Sequence, residues 1–217
     1  AMDLLSHAEE QEYNNDICSY ARINLAYADV MKSPIQDLPR PDFVVCTNNI
    51  CNTLIKWYEN LSHIFDCPFI LIDTPYTTGP EVKESTVAYV KAQLEDFARQ
   101  LEVICKRPFN YEKFEEVMEI TRKSNAAWMR AMSYAQYTPS PLDGFNILNY
   151  MALIVTVRGR KESLEFFTAV ADEMERMMKD GESQFKGEQK YRYMWEGLAV
   201  WPFLSHNYKT LKSHDAI

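Results

Sequence analysis

Glycine is scarce in this chain, with six among 217 residues. Loop-rich and β-rich architectures place glycine at their turns, so the scarcity points towards helices. The phosphate-cradling patterns G-x-G-x-x-G and G-x-x-x-x-G-K-[ST] are missing, as are G-x-S-x-G and H-E-x-x-H. No apolar run reaches the roughly 18 to 20 residues of a membrane span, and the first residues carry no signal-peptide pattern. Positive charge is short as well. Lys and Arg number 23 against 31 Asp and Glu, for a formal net charge of −8. A general nucleic-acid binder carries a basic face, so that class is disfavoured. The one basic run, Val157-Arg158-Gly159-Arg160-Lys161, reads as a solvated turn between helices. Five cysteines occur (Cys18, Cys46, Cys51, Cys67 and Cys105) but no C-x-x-C. Their odd number and spacing do not suggest a secreted disulfide framework, a zinc ribbon or a thioredoxin-like site. A reduced, cytoplasmic protein is expected. The four histidines are scattered, and His63 is expected to be a partly buried, hydrogen-bonded residue rather than a ligand.

What is present suits a soluble α/β fold. Hydrophobic residues make up 47% of the chain and aromatics 13%, enough for a substantial core. The first dozen residues read as a helix or frayed arm. A helix is expected from Cys18 to Met31, with Tyr20, Ile23, Tyr27 and Val30 on one face and Ser33-Pro34 as its stop. Phe43-Val44-Val45-Cys46 and Cys67-Pro68-Phe69-Ile70-Leu71-Ile72-Asp73 have the length and composition of buried strands. Between them lies a helix carrying Leu54, Tyr58, Leu61 and Phe65. Strand, helix, strand at this spacing predicts a parallel, right-handed βαβ unit, whose ligands gather beyond the carboxyl ends of the strands. The loops 47–49 and 74–79 lie at that edge.

From residue 81 the periodicity becomes helical. Helices are expected over about 81–106, over a second long segment marked by Phe114, Val117, Thr121, Trp128 and Met132, and over about 143–157 and 160–180. Asn110 can cap the second of these and Gly181 can close the last. Tyr191-Arg192-Tyr193-Met194-Trp195 could start a strand turned by Glu196-Gly197, a short helix follows near 203–211, and His214 to Ile217 read like the approach to one more strand. The expected domains are 1–80 (α/β), 81–190 (helical) and 191–217, the start of a further domain truncated at its border.

Two cysteines stand apart. Cys18, after Asn14-Asn15-Asp16-Ile17, and Cys51, after Asn48-Asn49-Ile50, each open a predicted helix. A thiol there meets unpaired N–H groups and the positive end of the helix dipole, which favour its thiolate. Two such thiolates brought together would suit a soft metal. Cys46, Cys67 and Cys105 read instead as small structural residues, Cys46 and Cys105 as buried ones.

The runs Cys18-Ser19-Tyr20-Ala21-Arg22, Asp42 to Cys51, Lys56-Trp57-Tyr58 and Pro68 to Pro75 resemble the 2-hydroxyacyl-CoA dehydratase family, which also contains the ATP-dependent benzoyl-CoA reductase subunits. The likeness continues through the helical middle to Met194-Trp195-Glu196-Gly197, which resembles the start of the family's second α/β domain, truncated in this chain. Its most specific elements are the two cysteines 33 positions apart and the Thr47-Asn48-Asn49 before the second. Asn52 follows the second cysteine where the family often has Asp. The resemblance implies a small Rossmann-like parallel sheet with a large helical region, and a [4Fe-4S] cluster held by three cysteines per subunit. Cys18 and Cys51 match the first two, and the third falls beyond the chain end, so this fragment would hold an incomplete site and be inactive alone. It further implies anaerobic, fermentative chemistry in which a separate ATP-hydrolysing iron–sulfur activator injects one electron. That electron passes through a cluster to the thioester carbonyl, and a ketyl radical loses hydroxide. The implied partners are a homologous second subunit, the activator and an acyl-CoA, with no nucleic acid and no membrane. Ser19, Asn48 and Asn49 lie beside the ligands and could bond cluster sulfur or substrate, while Asn48 and Asn49 could equally cap the next helix. Arg22 could meet a CoA phosphate or form a surface ion pair. No catalytic side chain is singled out. Aromatic-ring reduction and a non-catalytic interaction domain with incidental cysteines remain as alternatives.

Overall fold

The structure is a computed structural model that describes residues 2–32, 37, 39–197 and 199–217. The chain separates into two compact units, Ala1–Phe109 and Asn110–Ile217. No helix among the described residues is long and apolar enough to cross a membrane.

The first unit begins with helices α1 (Met2–Glu10) and α2 (Ser19–Val30). Strand β1 (Val44–Thr47), helix α3 (Asn52–Phe65) and strand β2 (Phe69–Ile72) follow. The strands pair in parallel, Val44 opposite Phe69 and Thr47 opposite Ile72, so the expected βαβ unit forms. Leu25, Ala28, Val44 and Leu61 make its core, with Trp57, Tyr58, Phe65 and Phe69 packed against them. The expected face of α2 is buried only in part, at Tyr27 and partly at Ile23. Tyr20 and Val30 are exposed, and Ala21, Leu25 and Ala28 are buried. Small side chains such as Ala21 and Ala28 let α2 approach its neighbours closely. Helix α2 ends at Met31 in the left-handed region, ahead of the Ser33-Pro34 stop, which lies outside the described residues.

Helix α4 (Glu84–Cys105) closes the unit. Its Phe97 meets Phe43 edge-on at 6.4 Å, while Val87 and Leu94 of the expected apolar face are exposed. Cys46 is buried as expected, but Cys105, the last residue of α4, is exposed, because the helix end projects past the packed surface. His63 is exposed too, on the outer side of α3 rather than partly buried.

The second unit holds α5 (Tyr111–Ser133), α6 (Gly144–Thr156), α7 (Lys161–Asp180) and α8 (Leu204–Ser213). Asn110 caps α5, its side chain accepting from the Lys113 amide at 2.8 Å. Asp143 does the same for α6 through the Asn146 amide, at 2.8 Å. Gly181 closes α7 with φ 68°, as its sequence position suggested. Helices α5 and α7 run in the same direction. Val117 lies against Gly159 just before α7, Trp128 meets Phe167 at 5.2 Å, and Arg130 pairs with Asp172. Ala131, Leu142, Ala171, Met174 and Met177 form the core between them. The basic run 157–161 is the α6–α7 turn.

Tyr191–Trp195 does not become a full strand. Tyr191 and Ala216 make a parallel bridge, supported by Tyr193 N–H to Ile217 O and Ile217 N–H to Tyr191 O, each at 2.9 Å. With Tyr193 and Met194 largely exposed, no apolar face extends that pairing.

Candidate functional site

Cys18 and Cys51 are the N-cap residues of α2 and α3, and both are exposed. Their relation follows from how those helices lie. The Trp57 indole N–H donates to the Asn24 carboxamide oxygen at 2.8 Å. Asn24 is the sixth residue after Cys18, and Trp57 is the sixth after Cys51. Further along, Ala28, Asp29 and Met31 from the end of α2 share one groove with Ile64 and Phe65 from the end of α3. The helices therefore run side by side in the same sense. Both caps stand at the same end, each about 9 Å of helix before the Asn24–Trp57 bridge. Cys51 follows β1 by four residues, so that end is the carboxyl edge of the sheet.

The surroundings of Cys51 favour its anion. The Thr53 hydroxyl, then the Thr53 and Leu54 amides, lower its thiol pKa, although no side-chain hydrogen bond of cap geometry forms. Burial raises the thiols of Cys46 and Cys67 instead. Two exposed thiols at the same end of neighbouring helices are soft donors of the kind that iron–sulfur ligation uses. Among the described residues no group of three His, Cys, Asp or Glu side chains could hold a metal ion.

The remaining residues singled out by sequence divide. Ser19 is the first, exposed residue of α2 beside Cys18. Arg22 reaches α1. It is 5% exposed and pairs with Glu9 of α1 at 2.5 Å, with a longer bond to Leu5 O at 3.4 Å. The expected ion pair therefore forms, with its guanidinium buried and its Glu9 carboxylate exposed. Asn48 and Asn49 do not cap α3, whose N-cap is Cys51 itself. Asn49 accepts from the Thr47 hydroxyl at 2.6 Å. Asn48 reaches across to the loop after β2, bonding Asp73 and accepting from the Thr74 amide at 2.7 Å.

Sequence reasoning did not single out Asp73, Tyr89 and Gln93. Gln93 takes the Asp73 amide and donates to the Asp73 carbonyl, each at 2.8 Å, and the Tyr89 hydroxyl donates to the Asp73 carboxylate at 2.8 Å. The available signal was an Asp directly after a strand, followed by a Tyr and a Gln four apart on the next helix.

A family model described as 2-hydroxyglutaryl-CoA dehydratase, D-component, matches residues 1–217. The (R)-phenyllactyl-CoA dehydratase alpha subunit of Clostridium sporogenes is 45% identical over 212 residues, 98% of this chain and 52% of that protein. The (R)-2-hydroxyglutaryl-CoA dehydratase subunit alpha of Acidaminococcus fermentans is 40% identical over 177 residues, 82% of this chain and 37% of that protein. A benzoyl-CoA reductase subunit of Thauera aromatica is 23% identical over 224 residues, 99% of this chain and 52% of that protein. The chain spans about half the length of most of the relatives it matches. With a family model covering it from end to end and relatives well above 30% identity, the chain belongs to the 2-hydroxyacyl-CoA dehydratase family.

Proposed function

We propose that the protein to which this sequence belongs removes water from a 2-hydroxyacyl-CoA thioester by a one-electron route, with Cys18 and Cys51 as two of the thiolate ligands of a [4Fe-4S] cluster. The observation that carries this reading is the shared direction of α2 and α3, which brings both N-cap thiols to the carboxyl edge of the sheet. When bound, such a cluster supplies an electron carrier and an iron able to act as a Lewis acid. The chain's own part is to hold it. The helix starts present two exposed thiols, and Thr53 favours the anion at Cys51. Ser19 and Asn49 stand next to the thiols as further hydrogen-bonding groups. A cluster on thiolates needs a reducing setting, so a cytoplasmic, anaerobic location belongs to the same reading.

The relatives named as dehydratase alpha subunits support a partner subunit and an acyl-CoA substrate, and the resemblance adds a separate ATP-hydrolysing activator. Identities of 40–45% to dehydratase subunits against 23% to a benzoyl-CoA reductase subunit favour dehydration over ring reduction. The named acyl groups include phenyllactyl and 2-hydroxyglutaryl, so the proposal is for the class of 2-hydroxyacyl-CoA esters.

The test is iron content. Full-length protein prepared without oxygen should be brown and carry iron and sulfide, and Cys18→Ala or Cys51→Ala should each lose most of it. A variant with wild-type iron removes that residue from the ligand set. Assay of the loaded protein with activator, on 2-hydroxyacyl-CoA and on benzoyl-CoA esters, separates dehydratase from reductase.

A further inference from the structure

We propose that Asn48, Asp73 and Gln93 are positioning residues for Cys51. Their side chains lock the β1–α3 loop to the end of β2 and to α4, and so fix where the thiol stands at the carboxyl edge of the sheet. The proposal rests on the reading of Cys51 as a metal ligand.

The bonding is unusually complete for a site that is not buried. Asp73 is half-buried and Tyr89 is exposed, so water could serve their polar groups. Instead each polar group of Asp73 has a protein partner. The amide goes to Gln93 Oε1, the carbonyl to Gln93 Nε2, one carboxylate oxygen to Asn48 and the other to the Tyr89 hydroxyl. Gln93 thereby offers Asp73 the donor and acceptor that a third strand would have offered. Asn48 completes the clasp by accepting from the Thr74 amide at 2.7 Å, one residue further along.

Hydrogen bonds at such exposure add little net stability, because each replaces a bond to water. What they do supply is geometry. Asn48 is the first residue after β1 and Cys51 is three further on. A loop tied at Asn48 to Asp73 and Thr74, and through Asp73 to α4, has little freedom left before α3 begins at Asn52. Outer partners of this kind orient metal ligands, and their loss typically weakens metal binding about 10- to 100-fold.

The experiment reads position directly and needs no metal. In the 217-residue chain with Cys46→Ala, Cys67→Ser and Cys105→Ser, nitroxide labels on Cys18 and Cys51 report their separation by electron paramagnetic resonance. A second pair, on Cys18 and Lys56→Cys with Cys51→Ser, reports the body of α3. The wild-type clasp should give one narrow Cys18–Cys51 separation. Asn48→Ala and Gln93→Ala should broaden it by about a factor of two, the scale of a locally opened loop, while the control pair stays unchanged. Asp73→Asn keeps an acceptor for Asn48 and should restore the narrow distribution that Asp73→Ala loses.

An unchanged Cys18–Cys51 distribution in Asn48→Ala and Gln93→Ala overturns the clasp. So does equal broadening of both pairs, which marks a general loss of structure. Failure of the full-length protein to hold iron overturns the ligand reading instead, and the label separations still decide the clasp by themselves.

Discussion

At the scale of single residues, what distinguishes Cys51 from the other thiols is its neighbours. Cys46 and Cys67 lose solvent and are pushed up, whereas Cys51 stays in water and gains donors. The largest cause is the Thr53 hydroxyl, so Thr53→Val should raise the Cys51 pKa towards the ordinary thiol value. The sign is fixed by which form the donor favours. Hydrogen bonds to the thiolate lower the pKa, so removing one shrinks the thiolate fraction at any pH below the ordinary value. Alkylation of Cys51 by iodoacetamide should therefore slow at neutral pH and match wild type in strong alkali, where both thiols are ionised. Peptide mass spectrometry, with Cys18 in the same sample as standard, checks this, and an unchanged neutral rate would remove Thr53 as the cause. Arg22 shows the opposite kind of residue. Sequence offered a CoA phosphate or a surface ion pair, and the side chain does make an ion pair, with the exposed Glu9 of α1, but its own guanidinium is buried, because helix periodicity does not reveal what a neighbouring helix covers.

At the scale of elements, both strands, the helix between them, the capping at Asn110 and the closure at Gly181 were legible in local composition. Which face of α2 and of α4 is buried was not. The apolar stripes marked by sequence include Tyr20, Val87 and Leu94, all exposed, while the buried positions are small residues such as Ala21, Ala28 and Ala98. Close helix packing selects for small side chains, and periodicity scores only apolar ones. The α6–α7 turn gives a sharp case of close approach. Gly159 has φ +78°, and a Cβ there would stand 2.7 Å from Val117 Cγ1 of α5. Gly159→Ala combines backbone strain with a clash, so it should destabilise by about 1–3 kcal/mol. Urea unfolding measures this, and a variant as stable as wild type would show that the turn does not press on α5.

At the scale of the whole molecule, the chain forms two compact units that divide at Phe109–Asn110, between α4 and α5. Lys106 lies just before that border in the left-handed region and is exposed. Limited trypsin treatment should therefore cut after Lys106 and leave two resistant fragments, each near half the chain. First cuts inside α4 or α5 would contradict this organisation. The sequence alone determined the βαβ unit, the two cysteines at helix starts and the family, because strand length, capping and motif spacing are local properties written in consecutive residues. Tertiary structure alone decided that α2 and α3 run in the same sense, that Arg22 is occupied by Glu9, and that Asp73 gathers Asn48, Tyr89 and Gln93. Those facts depend on contacts between residues 13 to 33 positions apart, and no local pattern encodes which distant side chain will complete a hydrogen bond.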